Sequence, residues 1–153
     1  MVTLKYQVVN DQAVIHNLQN MDRVARGSIA KALNKGAEDI ANSMKAKVQV
    51  DTGFTKGTVK VVNPATSGDL NVEVHAGGAS VFLEEGTKPH VIVPKLASML
   101  AWEDPIMGMM FASIVHHPGT KPYPFVKPAI EEHRPKIVLD ILRELKIDLS
   151  GIR

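Results

Sequence analysis

The feature that most constrains this chain is a long run of helical period. From about Asn20, the residues Ala25, Ile29, Leu33, Gly36, Ala37, Ile40, Met44 and Val48 recur at the spacing of one helix face. Asn20 is the expected N-cap, with Asp22 at the positive end of the helix dipole. Arg23, Arg26, Lys31, Lys35, Glu38, Asp39, Lys45 and Lys47 fill the other face, and the helix is expected to end near Val48 or Val50. A glycine inside a helix costs about 1 kcal/mol against alanine. Gly36 on the apolar stripe, with Gly27 earlier, therefore predicts that something packs very close. A helix of this length needs a partner layer, and the rest of the chain must supply it.

The flanking segments change period. Val2, Leu4, Tyr6 and Val8 alternate with polar residues, the pattern of a half-buried strand ended by Asn10-Asp11. After Asp51-Thr52-Gly53, two β-branched runs (58–62 and 70–75) flank a loop from Asn63 to Asp69, which reads as a hairpin with a long tip. Ala79 to Glu85 is a short helical turn stopped by Gly86. Val91 to Val93 is a short strand, and 96–102 can pair with 109–115 across Asp104-Pro105-Ile106-Met107-Gly108. A second long helix follows Pro124 and Pro128, with Ala129, Ile130, His133, Ile137, Val138, Ile141, Leu142 and Leu145 as its stripe and Pro135 as an expected kink. The expectation is one α+β domain over residues 1–153. It has an antiparallel sheet, a long helix in the N-terminal half and a C-terminal helix packed on one face, with a frayed tail from about 148.

Composition narrows the function. The chain has 153 residues, 44% hydrophobic and 22% charged, a globular balance. It has no cysteine, which excludes disulfides, thiolate metal sites and cysteine nucleophiles. No secretory leader is expected at Met1 to Tyr6, and no apolar run is long enough to span a membrane. Net charge is only +2, divided as +3 over 1–50, −2 over 51–123 and +1 over 124–153. That is too even for a nucleic-acid module, whose basic residues gather on one face.

The tetrapeptide Gly-Thr-Lys-Pro occurs twice, at 86–89 and 119–122. A phosphate loop needs Lys followed by Ser or Thr at the start of a helix. Proline follows the lysine in both copies, so both read as turns: Gly86 and Gly119 supply positive φ, and Pro89 and Pro122 stiffen the exit. His90, His116 and His117, with Glu84, are the candidates for a metal-dependent hydrolase. They lack diagnostic ligand spacing, and adjacent strand residues such as His116 and His117 point to opposite faces. No Ser sits in a nucleophile elbow, and the neighbours Glu84-Glu85 and Glu131-Glu132 diverge on a helix. Neither a catalytic residue nor a metal ligand nor a cofactor is therefore assigned. Met99, Met107, Met109 and Met110 gather in the second hairpin, where pliable side chains suit an adaptable surface as well as a core.

Four pieces in this order carry a resemblance: the long helix, "VDTGFTKGTVKV", "SVFLEEGTKPH" and "HHPGTKPYPFVKPAIEE". From about Ala25 to Leu145 the chain resembles the tail-completion, or neck, proteins of long-tailed bacteriophages, a group often labelled simply as tail components. Phe54-Thr55-Lys56-Gly57-Thr58 departs from the usual Leu-containing turn, and Phe82 stands where Tyr is usual. The resemblance implies a structural virion protein without catalysis, assembled in the bacterial host cytoplasm. It would sit at the top of the tail as a ring of copies, hexameric by family likeness. Its partners would be the major tail-tube protein and a head-closure or connector protein, with DNA only as passing cargo. A head-closure or adaptor role in the same neck is the alternative. The turn residues that carry the likeness are Asp51, Thr52, Gly53, Glu85, Gly86, Thr87, His117, Pro118, Gly119, Thr120, Lys121, Pro122, Pro124, Phe125 and Pro128. Asp51 and Thr52 are expected to fix the turn after the first helix, Glu85 the turn into Val91, and Phe125 to anchor on the sheet. The expected interface residues are Lys88, Pro105, Met107, Met109, Met110 and Lys121, together with the loop from Asn63 to Asp69.

Overall fold

The computed structural model describes residues 11–49 and 53–150. The expected strand over Val2 to Val8, and the turn residues Asp51 and Thr52, lie outside the described residues. The element order is α1 (Asp11–Lys47), α2 (Phe54–Thr58), β1 (Lys60–Val62), β2 (Glu73–His75), α3 (Ser80–Glu85), β3 (His90–Ile92), β4 (Leu100–Asp104), β5 (Gly108–Ala112), β6 (Val115–His117) and α4 (Val126–Ser150). The class is α+β. Among the described residues the strands form three antiparallel two-stranded ladders, β1–β2, β3–β6 and β4–β5.

α1 is longer than its buried stripe predicts. Its 37 residues span roughly 55 Å at 1.5 Å per residue. Asn20 is not its N-cap but an interior residue, whose Oδ1 accepts from Arg23 Nη2. The segment 12–19 holds no Gly or Pro to stop a helix, so the helix runs back to Asp11. α2 was not foreseen; it follows Gly53, which has φ 79°.

α4 lies antiparallel along α1. At Gly36 the Ile137 side chain occupies the space a Cβ would need, its Cδ1 2.7 Å from that position and its Cγ1 nearer still. Ion pairs flank this contact: Lys31 with Glu144 at 2.7 Å, Lys35 with Asp140 at 3.4 Å, Lys136 with Asp39 at 2.7 Å, and Lys47 with Glu132. Much of the basic character of the N-terminal third is thus matched within the chain. The buried Ser28 hydroxyl donates to Asp148 Oδ2 at 2.7 Å, so α4 stays tied to α1 at the position where fraying was expected to begin. It continues to Ser150, and residues 151–153 lie outside the described part. Pro135 is inside α4 and exposed, leaving the Glu131 carbonyl without a helical donor.

The core sits where α1, the β1–β2 hairpin and the start of α4 meet. Ala41, Met44, Val48, Val59, Phe125 and Ala129 are buried there, with Val61, Val74 and Leu83 packed around them. Phe125 is fully buried, and it is the residue that seats α4. The loop at the tip of the first hairpin is not free. Ala65 is buried against α1, its N–H donating to Asn34 Oδ1 at 2.7 Å while its carbonyl accepts from Asn34 Nδ2 at 2.9 Å. Its other residues, from Asn63 to Asp69, are exposed.

Candidate functional site

The two Gly-Thr-Lys-Pro turns meet. Thr87 N–H donates to Thr120 O at 2.9 Å and Thr120 N–H donates back to Thr87 O at 3.1 Å. The Thr87 hydroxyl also accepts from Thr120 N–H at 2.9 Å. Both glycines have positive φ, 72° at Gly86 and 87° at Gly119, and each has the other turn's backbone in the place of a Cβ. The Thr87 and Thr120 amides are therefore donated to the partner turn and are not available to cradle a phosphate. Sequence reading found both turns but not their pairing; the repetition itself was the available signal.

The Thr87–Thr120 bridge is in register with β3–β6, where His90 faces His117, Val91 faces His116 and Ile92 faces Val115. Nested inside is β4–β5, from Leu100 opposite Ala112 to Asp104 opposite Gly108. Residues 87–120 are thus one interrupted two-stranded ribbon rooted at the paired turns. None of them is buried. Ile106 is 93% exposed, Met107 72%, Phe111 62% and Met109 58%. Met99 is also exposed and Met110 half-buried, so these methionines are surface rather than core. At the tip, Asp104 Oδ1 accepts from the N–H groups of both Ile106 and Met107 at 2.9 Å, which fixes the turn and holds this carboxyl below its ordinary range.

Glu84, not Glu85, is the acid that organises the region. Its Oε2 accepts from the N–H groups of Phe125 and Val126 at 2.8 Å, and its Oε1 from Lys127 N–H at 2.9 Å. A carboxylate from α3 thus caps the start of α4, a helix end whose donors have no partners of their own. Burial pushes this carboxyl up, but the three backbone donors outweigh it and hold it below its ordinary value. Tyr123 N–H donates to Leu83 O at 2.7 Å, so α3 grips the connector just before Phe125. Pro122 packs beside Gly86; Pro118, Pro124 and Lys121 are exposed, and Pro128 is half-buried in the first turn of α4. Glu85 is exposed on the rim of a cavity. The sequence signal for Glu84 was weak, because its partners are more than 40 positions away.

The histidines also have structural partners. His90 Nδ1 donates to Lys88 O at 2.8 Å, and His117 Nδ1 accepts from Gly119 N–H at 3.0 Å. Their rings face each other with centroids 5.0 Å apart, while the exposed His116 alternates to the other side of the strand. Among the described residues no group of three or more His, Asp or Glu converges as a metal site. Nor, among them, is any helix long and apolar enough to cross a membrane.

In a comparison with protein families, residues 12–86 match the family described as "Bacteriophage HK97-gp10, putative tail-component". This stretch belongs to that family of phage tail components. No curated protein and no solved structure matches the chain. The family match runs from α1 through α3 to Gly86, where the ribbon begins. It contains "VDTGFTKGTVKV" and most of the α3 motif, and leaves the ribbon and α4 beyond it. A tail component is a part of the virion, and its contacts are with other virion proteins.

Proposed function

We propose that this protein is a structural, non-enzymatic part of the phage neck, completing the tail and joining it to the head as a ring of copies. Its partners in this reading are the major tail-tube protein below and a head-closure or connector protein above, with DNA passing through. The observation that carries the reading is the ribbon over 87–120, which exposes many large apolar side chains and contributes nothing to the core. An isolated two-stranded ribbon is marginal in water, and an apolar surface of this kind marks a contact with another protein. Support for the absence of catalysis comes from the candidate groups: Glu84 and His117 are committed to backbone donors.

The test is a phage carrying a deletion of Pro105–Met110. Folded but unjoined heads and tails are expected by electron microscopy, while the purified variant keeps its thermal unfolding. Normal virions would overturn the reading, as would substrate turnover by the purified protein that is abolished by His116→Ala or His117→Ala.

A further inference from the structure

The ribbon carries opposite charge at its two ends. From Leu96 to His117 the only charged side chains other than histidine are Glu103 and Asp104, both beside the tip. Nearer the root stand Lys88, Lys95 and Lys121, all exposed. The tip is apolar as well as acidic. Ile106 and Met107 form it, and Met109 lies opposite Glu103 on the outer face of β4–β5. The root holds a matching feature: a cavity of about 610 Å³ between α3 and the paired turns. Its apolar lining is Val81, Phe82 and Ile92, with Lys88, His90 and Glu85 at its edge. Val81 and Phe82 are each 61% exposed, so this lining is as uncovered as the tip.

We infer that the ribbon tip of one copy seats in the root cavity of a second copy, Ile106 and Met107 against Val81, Phe82 and Ile92, with Glu103 facing Lys88. The inference rests on the assembly reading above and names its contact. Tip and root are different surfaces of one chain, so the contact is heterologous. Repeated from copy to copy it builds a ring where the rotation between copies closes, which is the geometry the assembly reading calls for. Asp104 prepares the tip by fixing its turn, which lowers the ordering cost on docking. Tip and root charges attract across the contact and repel in tip-to-tip or root-to-root approach, which sets direction.

The experiment is sedimentation of the purified full chain with charge-swapped variants. Lys88→Glu and Glu103→Lys are each expected to weaken self-association by roughly tenfold or more, and the double variant to restore it. Mixing the two single variants should restore growth with the two alternating, because both cross contacts then pair opposite charges while each variant's contact with itself is repulsive. Ile106→Ser/Met107→Ser should abolish association without changing thermal unfolding. A wild-type chain that stays monomeric at high concentration and low salt overturns the inference. So does a double variant no better than the singles, or binding of the tip only to purified tail-tube protein. The same variants in phage separate the two readings. Normal virions from both single variants remove this contact and leave the neck role standing, whereas normal virions from a phage lacking the protein remove the neck role itself.

Discussion

Thr87 and Thr120, 33 positions apart, exchange both of their backbone hydrogen bonds. This pairing explains why the same four residues occur twice. Each turn needs a glycine to take up positive φ and let the opposite strand come close, and each needs a proline to hold the chain as it leaves. Gly86→Ala and Gly119→Ala should each cost about 1–3 kcal/mol, from left-handed backbone together with collision with the facing turn. The double variant should cost less than the sum, since both changes break one bridge. Thermal or denaturant unfolding of the four proteins measures this directly.

Glu84 should make stability fall in acid. Its folded-state value lies below its ordinary 4.5, so its contribution is fully present above that pH. It is lost as pH falls through the lower folded value. Glu84→Gln should flatten this part of the stability–pH profile and cost about 1–2 kcal/mol at neutral pH by weakening a charged cap.

What the sequence conveyed well was local. The period of α1 over Ala25 to Val48, the β1–β2 hairpin, the stop at Gly86 and the placing of Phe125 before a helix all follow from spacing and turn chemistry within a few residues. What it conveyed poorly depended on distance. Nothing near Glu84 marks it as the cap of a helix starting at Val126, and nothing in either Gly-Thr-Lys-Pro names the other as its partner. The start of α1 was misplaced for a different reason. Val14, Ile15, Leu18 and Met21 are exposed, so no core contact marks that part of the helix, and a good N-cap residue at Asn20 was read as the boundary. The interface residues were legible as types, pliable methionines at a Gly/Pro turn, but only the nested register of 87–120 shows that tip and root belong to one ribbon.

Gly27 and Gly36 share a helix and should respond oppositely to alanine. Nothing lies within 4 Å of a Cβ at Gly27, so Gly27→Ala should stabilise by about 0.5–1 kcal/mol through helix propensity. At Gly36 the Ile137 side chain fills the space, and overpacking should destabilise by about 1–3 kcal/mol. The loss from Gly36→Ala should be smaller in an Ile137→Ala background, where no γ carbon remains to collide with the new Cβ. By contrast Lys31→Ala, at the exposed pair with Glu144, should leave the unfolding midpoint nearly unmoved, and any effect should fade further in salt.

Asp104 separates the order of the ribbon tip from the stability of the body. Its carboxylate holds the N–H groups of Met107 and Ile106, and these donors keep it below its ordinary 3.8. The core lies elsewhere, among residues of α1, β1, β2 and α4, so Asp104→Ala should leave the global unfolding midpoint in place. Local opening should rise instead, seen as faster amide exchange at Ile106 and Met107. In the wild-type chain the same two amides should lose protection only as pH falls through a value under 3.8, because protonation removes the acceptor. A drop in global stability with Asp104→Ala would mean that the ribbon folds as one unit with the helices, which its lack of any buried residue argues against.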